Sequence, residues 1–514
     1  MSTIVDAIDR AAAEHGERIA LRFRGRSTSC AELAGRSNAL AERLASIGLG
    51  AGSRLGVLMG NRPEWLVAAL GAARVGAVVV PLSTFLRARE LESILRHAEV
   101  EAVVHSPRFS GTSYDEVLVA LVAPRGAPAL SCLLEWRDDE ALPRIRGEAV
   151  ERRSPRPARS GDAAFVFYTS GSTGEPKGVR HAHGPMLRHA RAIAERMGTG
   201  PDDRSWSTFP FFFSAGIMIF AWSGLAAGAT LVLQEKFEPA EALALLESER
   251  CTMYQGWPHQ IEAMIAEPRF SRTDLGTLRK SNGAKFLPHE AFLRRPHEAI
   301  DGWGMTETLT YCCSTRWTDP LETRLASHGT PLEGVEVRVV DADTGRPLGP
   351  GEDGELCVRG YNVMLGYVGR PEGSHLDGDG YFRSGDLGRI DAAGNVHFLG
   401  RLREIIKTAG VNVAAAEIEQ LLAGHPAVEA AYVVGVPDPS RGETIAAFVV
   451  RAAACDEAEL ARFVADRTAR YKVPRWIFFT SRDELPQTGT GKVLQTRLRE
   501  IAVDRAGKGT LGPK

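Results

Sequence analysis

The chain has 514 residues, 44% of them hydrophobic and 25% charged, with a formal net charge of −2. At roughly 150 residues per domain this is more than one ordinary domain, and the composition is globular rather than disordered or fibrous. The near balance of charge excludes the electrostatic footprint of a nucleic-acid binder or of a protein drawn to anionic membranes. Seven cysteines show no metal-type spacing, Cys312 and Cys313 being adjacent, so a reducing, cytoplasmic setting is expected. Met1 to Arg10 is mixed and acidic and lacks the apolar core of a secretory signal. Leu66 to Leu82 is the most apolar run, but Arg74 and Pro81 interrupt it, and it is short for a membrane span.

In chain order, residues 1 to 47 read as a helix, a hairpin around Gly25 and a second helix with Leu33, Leu40, Leu44 and Ile47 at helical spacing. Gly48-Leu-Gly-Ala-Gly52 superficially matches a dinucleotide loop, but it follows a helix, so a helix stop and turn is expected. Strands are expected at Arg54 to Met59, Ala77 to Val80 and Ala102 to His105. Helices lie between them, one opening at Asn61-Arg-Pro-Glu-Trp65 and one over Glu90 to His97. This alternation predicts an α/β sheet with parallel pairs. Pro107 to Arg159 reads as irregular, ending in the exposed Pro/Arg-rich connector Arg152 to Arg159. Beyond it come a strand at Ala163 to Phe167, a helix at Pro185 to Met197, and strands at Thr230 to Leu233 and Cys251 to Tyr254. From Val335 to Leu399 the pattern changes to short strands, a β-rich subdomain, and from Ile405 onward a compact α+β unit follows.

The stretch that carries chemistry is Tyr168-Thr-Ser-Gly-Ser-Thr-Gly-Glu-Pro-Lys-Gly178. Glycines let its backbone approach a ligand closely. Thr169, Ser170, Ser172 and Thr173, with successive N–H groups around Gly171 and Gly174, can surround phosphate oxygens, and Lys177 adds a positive charge. The order differs from a Walker A loop and from the dinucleotide fingerprint. Arginine is the default cation here, with fifty-three arginines against nine lysines and no lysine before Lys177. A lysine is therefore a candidate for a place that needs a compact ammonium. Four of the nine (Lys177, Lys285, Lys407 and Lys492) fall in short motifs. Those motifs are the loop itself, Asn282-Gly-Ala-Lys285, Ile405-Ile-Lys407 and Leu485-Pro-Gln-Thr-Gly-Thr-Gly-Lys492; a lysine-free Gly-rich turn, Asp301-Gly-Trp-Gly-Met-Thr-Glu-Thr308, stands beside them.

In order and spacing, from about residue 5 to residue 500, this set resembles the adenylate-forming superfamily of acyl-CoA synthetases, adenylation domains and luciferases. The resemblance implies a large N-terminal domain of α/β subdomains plus a β-rich subdomain (1–400), a hinge (401–403, at Arg403) and a small mobile α+β C-terminal domain (404–514). It implies attack of a carboxylate on the α-phosphate of ATP, then transfer of the acyl group to a thiol. ATP would be held by Thr169 to Gly174 and Lys177, by Gly283, Ala284 and Lys285, by Gly302, Trp303 and Gly304, and by Asp386, Arg401 and Lys407. Glu307 would take Mg²⁺, a hard ion suited to one or two carboxylates. Thr306 would bond the phosphates, and Lys492 would bridge the attacking carboxylate and the α-phosphate. Rotation at the hinge would withdraw Lys492 and present Thr408, Ala409 and Gly410 to the thiol of coenzyme A, while Asn412 matches an adenylation-pose position.

Phe213 stands where the family carries a gating histidine, and Gln495 where an arginine is common. Phe211, Phe212, Phe213, Gly216, Trp257 and Tyr311 are the candidate lining of an apolar acid pocket, equally readable as core. The expected substrate is a small carboxylic acid (medium or bulky apolar, aryl or alicyclic, or fatty). Coenzyme A is the expected acceptor, no fused carrier domain following residue 500; a free-standing carrier protein is the alternative, and a homodimer is compatible with the sequence. A nucleotide-binding protein without catalysis is the reading from another class, against which Glu307 and Lys492 both speak.

Overall fold

The computed structural model describes residues 2–122, 129–138, 140–150, 153–169, 177–281, 298–402, 405–408, 411–438, 442–468, 472–487 and 493–508. Its first helix, Ile4–His15, is started by a reciprocal cap in which Thr3 Oγ1 accepts from the Asp6 amide and Asp6 accepts from the Thr3 amide. The second, Cys30–Ser46, begins where Ser29 Oγ accepts from the Glu32 amide at 3.1 Å. It ends at Ile47 with Gly48 at φ 96°, so the glycine-rich 48–52 stretch is the expected turn.

Two large sheets take up the strand–helix alternation. The seven-stranded sheet runs Glu298–Ala299, Lys280–Ser281, Met253–Gln255, Arg204–Ser207, Thr230–Leu233, Ile19–Phe23 and Arg26–Ser29. All its pairs are parallel except the Ile19–Phe23/Arg26–Ser29 hairpin. The eight-stranded sheet runs Gly366–Tyr367, Lys177–Ala182, Ala163–Thr169, Val78–Pro81, Arg54–Leu58, Ala102–His105, Cys132–Glu135 and Arg144–Gly147. Its central five strands are parallel, with antiparallel strands at both edges. The stretch expected to be irregular, Pro107 to Arg159, thus supplies the last two strands and a helix, Tyr114–Val122. Cys132–Glu135 is only four residues long but fully buried, so neighbouring strands, not local pattern, decide it.

The apolar run at 66–82 is explained by burial on all sides. It is the helix Pro63–Val75, with only Arg74 not buried, followed by the buried strand Val78–Pro81. No helix among the described residues is long and apolar enough to cross a membrane. Trp65 anchors this core: it stacks on Phe165 at 6.3 Å and tilts against Phe211 at 5.5 Å, while Phe165 stacks on Phe167 at 5.2 Å. The strand leading to the phosphate-loop motif is therefore fixed by its aromatic underside.

The chain divides into two compact units, 1–337 with 358–382 and 394–396, and 338–357 with 383–393 and 397–514. The β-rich stretch contains a four-stranded sheet of Val335–Val340, Gly354–Gly360, Phe382–Ile390 and Val396–Arg401. In the second unit the strands Val428–Asp438 and Gly442–Arg451 pair antiparallel, and Trp476–Thr480 adds parallel to the latter. Ile418, Leu422, Leu460 and Val464 pack with Val433, Ala447 and Val449; Leu498 and Ala502 pack with Val434, Val436 and Phe448. Helices thus cover both faces, which is why Ala430 to Val436 reads as a continuous apolar run instead of an alternating one. A helix, Glu457–Ala465, is capped by Asp456, whose side chain accepts from the Glu459 amide.

Candidate active site

In the first unit the candidate residues follow the carboxyl ends of parallel strands, the place where open α/β sheets hold ligands. Ala163–Thr169 leads into 170–176, Arg204–Ser207 leads to Phe212 and Phe213, and Met253–Gln255 leads to Trp257. Ser170, Gly171, Ser172, Thr173 and Gly174 lie outside the described residues, as do Gly283, Ala284, Lys285, Arg403, Ala409, Gly410 and Lys492, and the side chains of Lys407 and Asn412. Flanking the loop, Thr169 pairs with Lys177 and Tyr168 with Gly178 in antiparallel register. Tyr168 is tied down from outside, its hydroxyl 2.7 Å from His97 Nδ1.

Glu307 sits in a short 3-10 turn, Thr306–Thr308, between the paired strands Gly302–Met305 and Thr310–Ser314. The turn closes through two consecutive left-handed residues, Leu309 at φ 59° and Thr310 at φ 81°. For a β-branched residue such a conformation is costly and persists only where surroundings enforce it. They do so here. Asn362 Nδ2 donates to the Thr308 carbonyl at 3.1 Å, the Met364 amide to the Glu307 carbonyl at 2.8 Å, and His181 Nε2 to the Thr306 carbonyl at 2.7 Å. Gly304 is required as well, since a Cβ there would lie 1.5 Å from the Thr310 carbonyl oxygen.

The Glu307 carboxylate is half-buried, and Tyr367 donates to its Oε1 at 3.0 Å. It forms no ion pair with any described residue. The Lys177 ammonium lies 5.6 Å from the Tyr367 ring centre. Among the described residues no group of three His, Cys, Asp or Glu could cage a metal. A half-buried carboxylate joined to Lys177 through one tyrosine nevertheless suits Mg²⁺, which keeps water and substrate oxygens in its shell. Thr306 Oγ1 is 3.4 Å from Ser214 Oγ, which links this turn to the aromatic stretch.

In that stretch Phe211 and Phe212 are buried and Phe213 is half-buried. Phe211 is fully buried between Trp65 and Phe220 and belongs to the core, not to a pocket. The buried Asn61 side chain clamps the backbone here, donating to the Phe209 carbonyl at 2.9 Å and accepting from the Phe211 amide at 2.8 Å. The next residues form a continuous row: Phe85 against Phe212 at 5.3 Å, Phe212 against Phe213 at 4.7 Å, Phe213 against Trp257 at 5.9 Å, and Trp257 against Phe209 at 5.1 Å. Gly216 opens a π-helix, Gly216–Trp222, and a Cβ there would meet the Pro210 oxygen at 2.1 Å, so its role is close backbone packing. Tyr311 is 9% exposed, with its ring against Gly302. Trp303 is 4% exposed.

In the second unit Asp386, its side chain 2% exposed, pairs with Arg401 at 2.9 Å, and Arg401 also donates to the Ser384 carbonyl at 3.2 Å. Thr408 is buried at the end of strand Ile405–Thr408. Sequence reading missed Tyr367, His181, Ser214 and Phe85. Tyr367 lies in a two-residue strand, too short to give a pattern, and the other three reach the site only through long-range contacts.

Residues 8–368 match the AMP-binding enzyme family and residues 417–492 match the AMP-binding enzyme C-terminal domain. The chain belongs to the AMP-binding enzyme family. Among similar members, a feruloyl-CoA synthase of Amycolatopsis sp is 34% identical over 93% of this chain and 95% of its own length. An indoleacetate–CoA ligase of Aromatoleum aromaticum is 33% identical over 96% and 97%. In structure, ATP-bound MatB from Rhodopseudomonas palustris superposes with a TM-score of 0.85 at 30% identity, covering 98% of this chain and 99% of that one. The anthranilate CoA ligase AuaEII in complex with anthranoyl-AMP gives 0.85 at 27% identity, with 98% of each chain covered. The first family match spans the phosphate-loop strands, the Glu307 turn and Tyr367.

Three histidines near these strands are buried and neutral. Burial lowers His181 and His183 to about 4 and His189 to about 3. Their folded values lie below the ordinary 6.5, so the unfolded chain binds more protons between the two. Stability contributed by the neutral rings is complete above about 6.5 and is lost as pH falls toward 4, at up to about 1.4 kcal/mol per pH unit per histidine. Melting temperature measured from pH 7 to pH 4 is expected to fall steeply below 6.5, and a His181→Gln variant to show a shallower fall.

Proposed function

We propose that this chain is an AMP-forming acid–thiol ligase that makes an acyl-CoA from an aryl or alicyclic carboxylic acid. The observation that carries the reading is the Glu307 carboxylate, unpaired among the described residues, one phenol away from Lys177 at the edge of a Gly/Ser loop. The relatives support it, being named for feruloyl, indoleacetate and anthranilate substrates. A carboxylate oxygen attacks the α-phosphorus, the bond to the β-phosphate breaks, and pyrophosphate leaves. A thiol sulfur then attacks the acyl carbon, AMP leaves, and the thiol proton passes to solvent.

Thr169 to Gly174 and Lys177 would hold the outer phosphates, with Thr306 beside them. Glu307 would hold Mg²⁺, which when bound neutralises phosphate charge as a Lewis acid. Gly302 to Gly304 with Gly283, Ala284 and Lys285 would border the adenine, and Asp386, Arg401 and Lys407 the sugar side. Lys492 would serve the first half-reaction, and Thr408, Ala409 and Gly410 the second. The exposed end of the aromatic row, with Phe85 at 44% exposure, suits a flat or ring-bearing acid. Rings gain edge-to-face contact beyond simple burial.

Mass spectrometry of acyl-AMP and acyl-CoA across aryl, alicyclic and fatty acids tests this. Aryl or alicyclic acyl-CoA is expected. Adenylate that coenzyme A never accepts points to a carrier protein, and ATP binding without any adenylate overturns the catalytic reading. Phe213→Ala is expected to raise KM for the acid about tenfold while leaving that for ATP within twofold, since it removes two ring contacts from the row.

A further inference from the structure

Lys177 and Glu307 carry opposite charges and lie against the same side chain, yet they are not paired with each other. A direct bond would be the default for such neighbours, and would leave neither charge available to a ligand. Tyr367 stands between them. Its ring face attracts the ammonium at 5.6 Å, and its hydroxyl donates to Glu307 Oε1, leaving the second oxygen unengaged among the described residues.

The backbone holds this side chain in place from both sides. Tyr367 is registered opposite Val179 on the strand that leaves the phosphate loop. The Val368 amide donates to the Gly178 carbonyl and the Leu365 amide to the Arg180 carbonyl, each at 2.8 Å. On the other side, Asn362 and Met364 bond the carbonyls of Thr308 and Glu307. Residues 362–368 are thus a strap joining the loop strand to the carboxylate turn. Gly178 permits the fit: a Cβ there would lie 2.9 Å from Val368 and 3.0 Å from the Tyr168 ring.

We infer that Tyr367 is a positioning residue that holds the Lys177 ammonium and the Glu307 carboxylate apart and aimed for a divalent-cation–polyphosphate ligand. This rests on the adenylation reading above. The inference separates two functions within one side chain, the hydroxyl serving the carboxylate and the ring serving the ammonium.

The experiment is ATP binding by titration calorimetry, with Mg²⁺ and with EDTA, on wild type, Tyr367→Phe and Tyr367→Leu. Tyr367→Phe keeps the ring, so EDTA-state affinity is expected within twofold of wild type. The gain from Mg²⁺ is expected to shrink about tenfold, the usual scale for losing a partner that orients a metal-binding group. Tyr367→Leu removes the spacer too, so affinity falls in both states as Lys177 and Glu307 close on each other. Equal losses with and without Mg²⁺ in Tyr367→Phe would make the tyrosine a packing residue and overturn the inference. So would wild-type behaviour of Tyr367→Phe. If Mg²⁺ leaves wild-type ATP binding unchanged and no acid releases pyrophosphate, the adenylation reading falls and the inference with it. The wild-type arms therefore separate the two failures.

Discussion

Lys492→Ala is expected to slow acid-dependent pyrophosphate release by about 10²–10³-fold, the usual cost of removing a group that stabilises charge developing in the transition state. The lysine closes Gly489-Thr-Gly-Lys492, a short run with little bulk to hinder its reach. Its proposed partners are the attacking carboxylate and the α-phosphate, both of which change charge only in the first half-reaction. Thiol capture from chemically prepared acyl-AMP is therefore expected to proceed within a few-fold of wild type. ATP binding, measured by calorimetry, is expected to change little, because the loss falls on the barrier and not on the ground state. A Lys492→Arg variant is a second check. A planar guanidinium does not replace a compact ammonium between two anions, and recovery of less than a tenth of the rate is expected. If both partial reactions fall together, Lys492 is structural.

Asp386→Asn is expected to weaken ATP on the order of 10²-fold in half-saturation. The carboxylate is 2% exposed and its Oδ1 pairs with Arg401 at 2.9 Å. The Asp386 amide is itself fixed by Ser384 Oγ at 2.9 Å. Two ribose hydroxyls bonding a charged acceptor contribute about 1.5–3 kcal/mol each, and asparagine keeps the shape but offers one acceptor and no charge. The same change leaves Arg401 without its buried partner, so some loss of stability is expected as well. Arg401→Gln separates the effects. It retains the carboxylate, though without its cation and so also at some cost in stability, and it is expected to weaken ATP less than Asp386→Asn. Equal ATP affinities in both variants and wild type would remove the pair from the nucleotide site.

The chemistry of this chain was unusually open to reading because its motifs are short, ordered and rich in Gly, Ser, Thr and Lys, where backbone access and charge are local properties. The alternation of buried strands and helices was legible for the same reason: period and punctuation act within ten residues or so. Phe211 shows the limit. It sits in one run with Phe212 and Phe213, and local pattern gives three aromatic residues of equal standing. Contact with Trp65, from a helix far away in the chain, and with Phe220, on the helix that follows, turns Phe211 inward. Cys132–Glu135 and Arg144–Gly147 were likewise invisible, because neighbouring strands stabilise them and their own sequence does not.

By itself, then, the amino-acid sequence determined the α/β class and the chemical candidates, which follow from residue type and local spacing, and the order of its motifs along the chain carried the family resemblance. The tertiary structure alone decided that Tyr367 separates Lys177 from Glu307 and that His181 and Asn362 brace the carboxylate turn. It also decided that Pro107 to Arg159 contributes strands to the eight-stranded sheet. Those facts depend on which distant strands share an edge, and pairing energy is settled between segments far apart in the chain, where no local pattern records it.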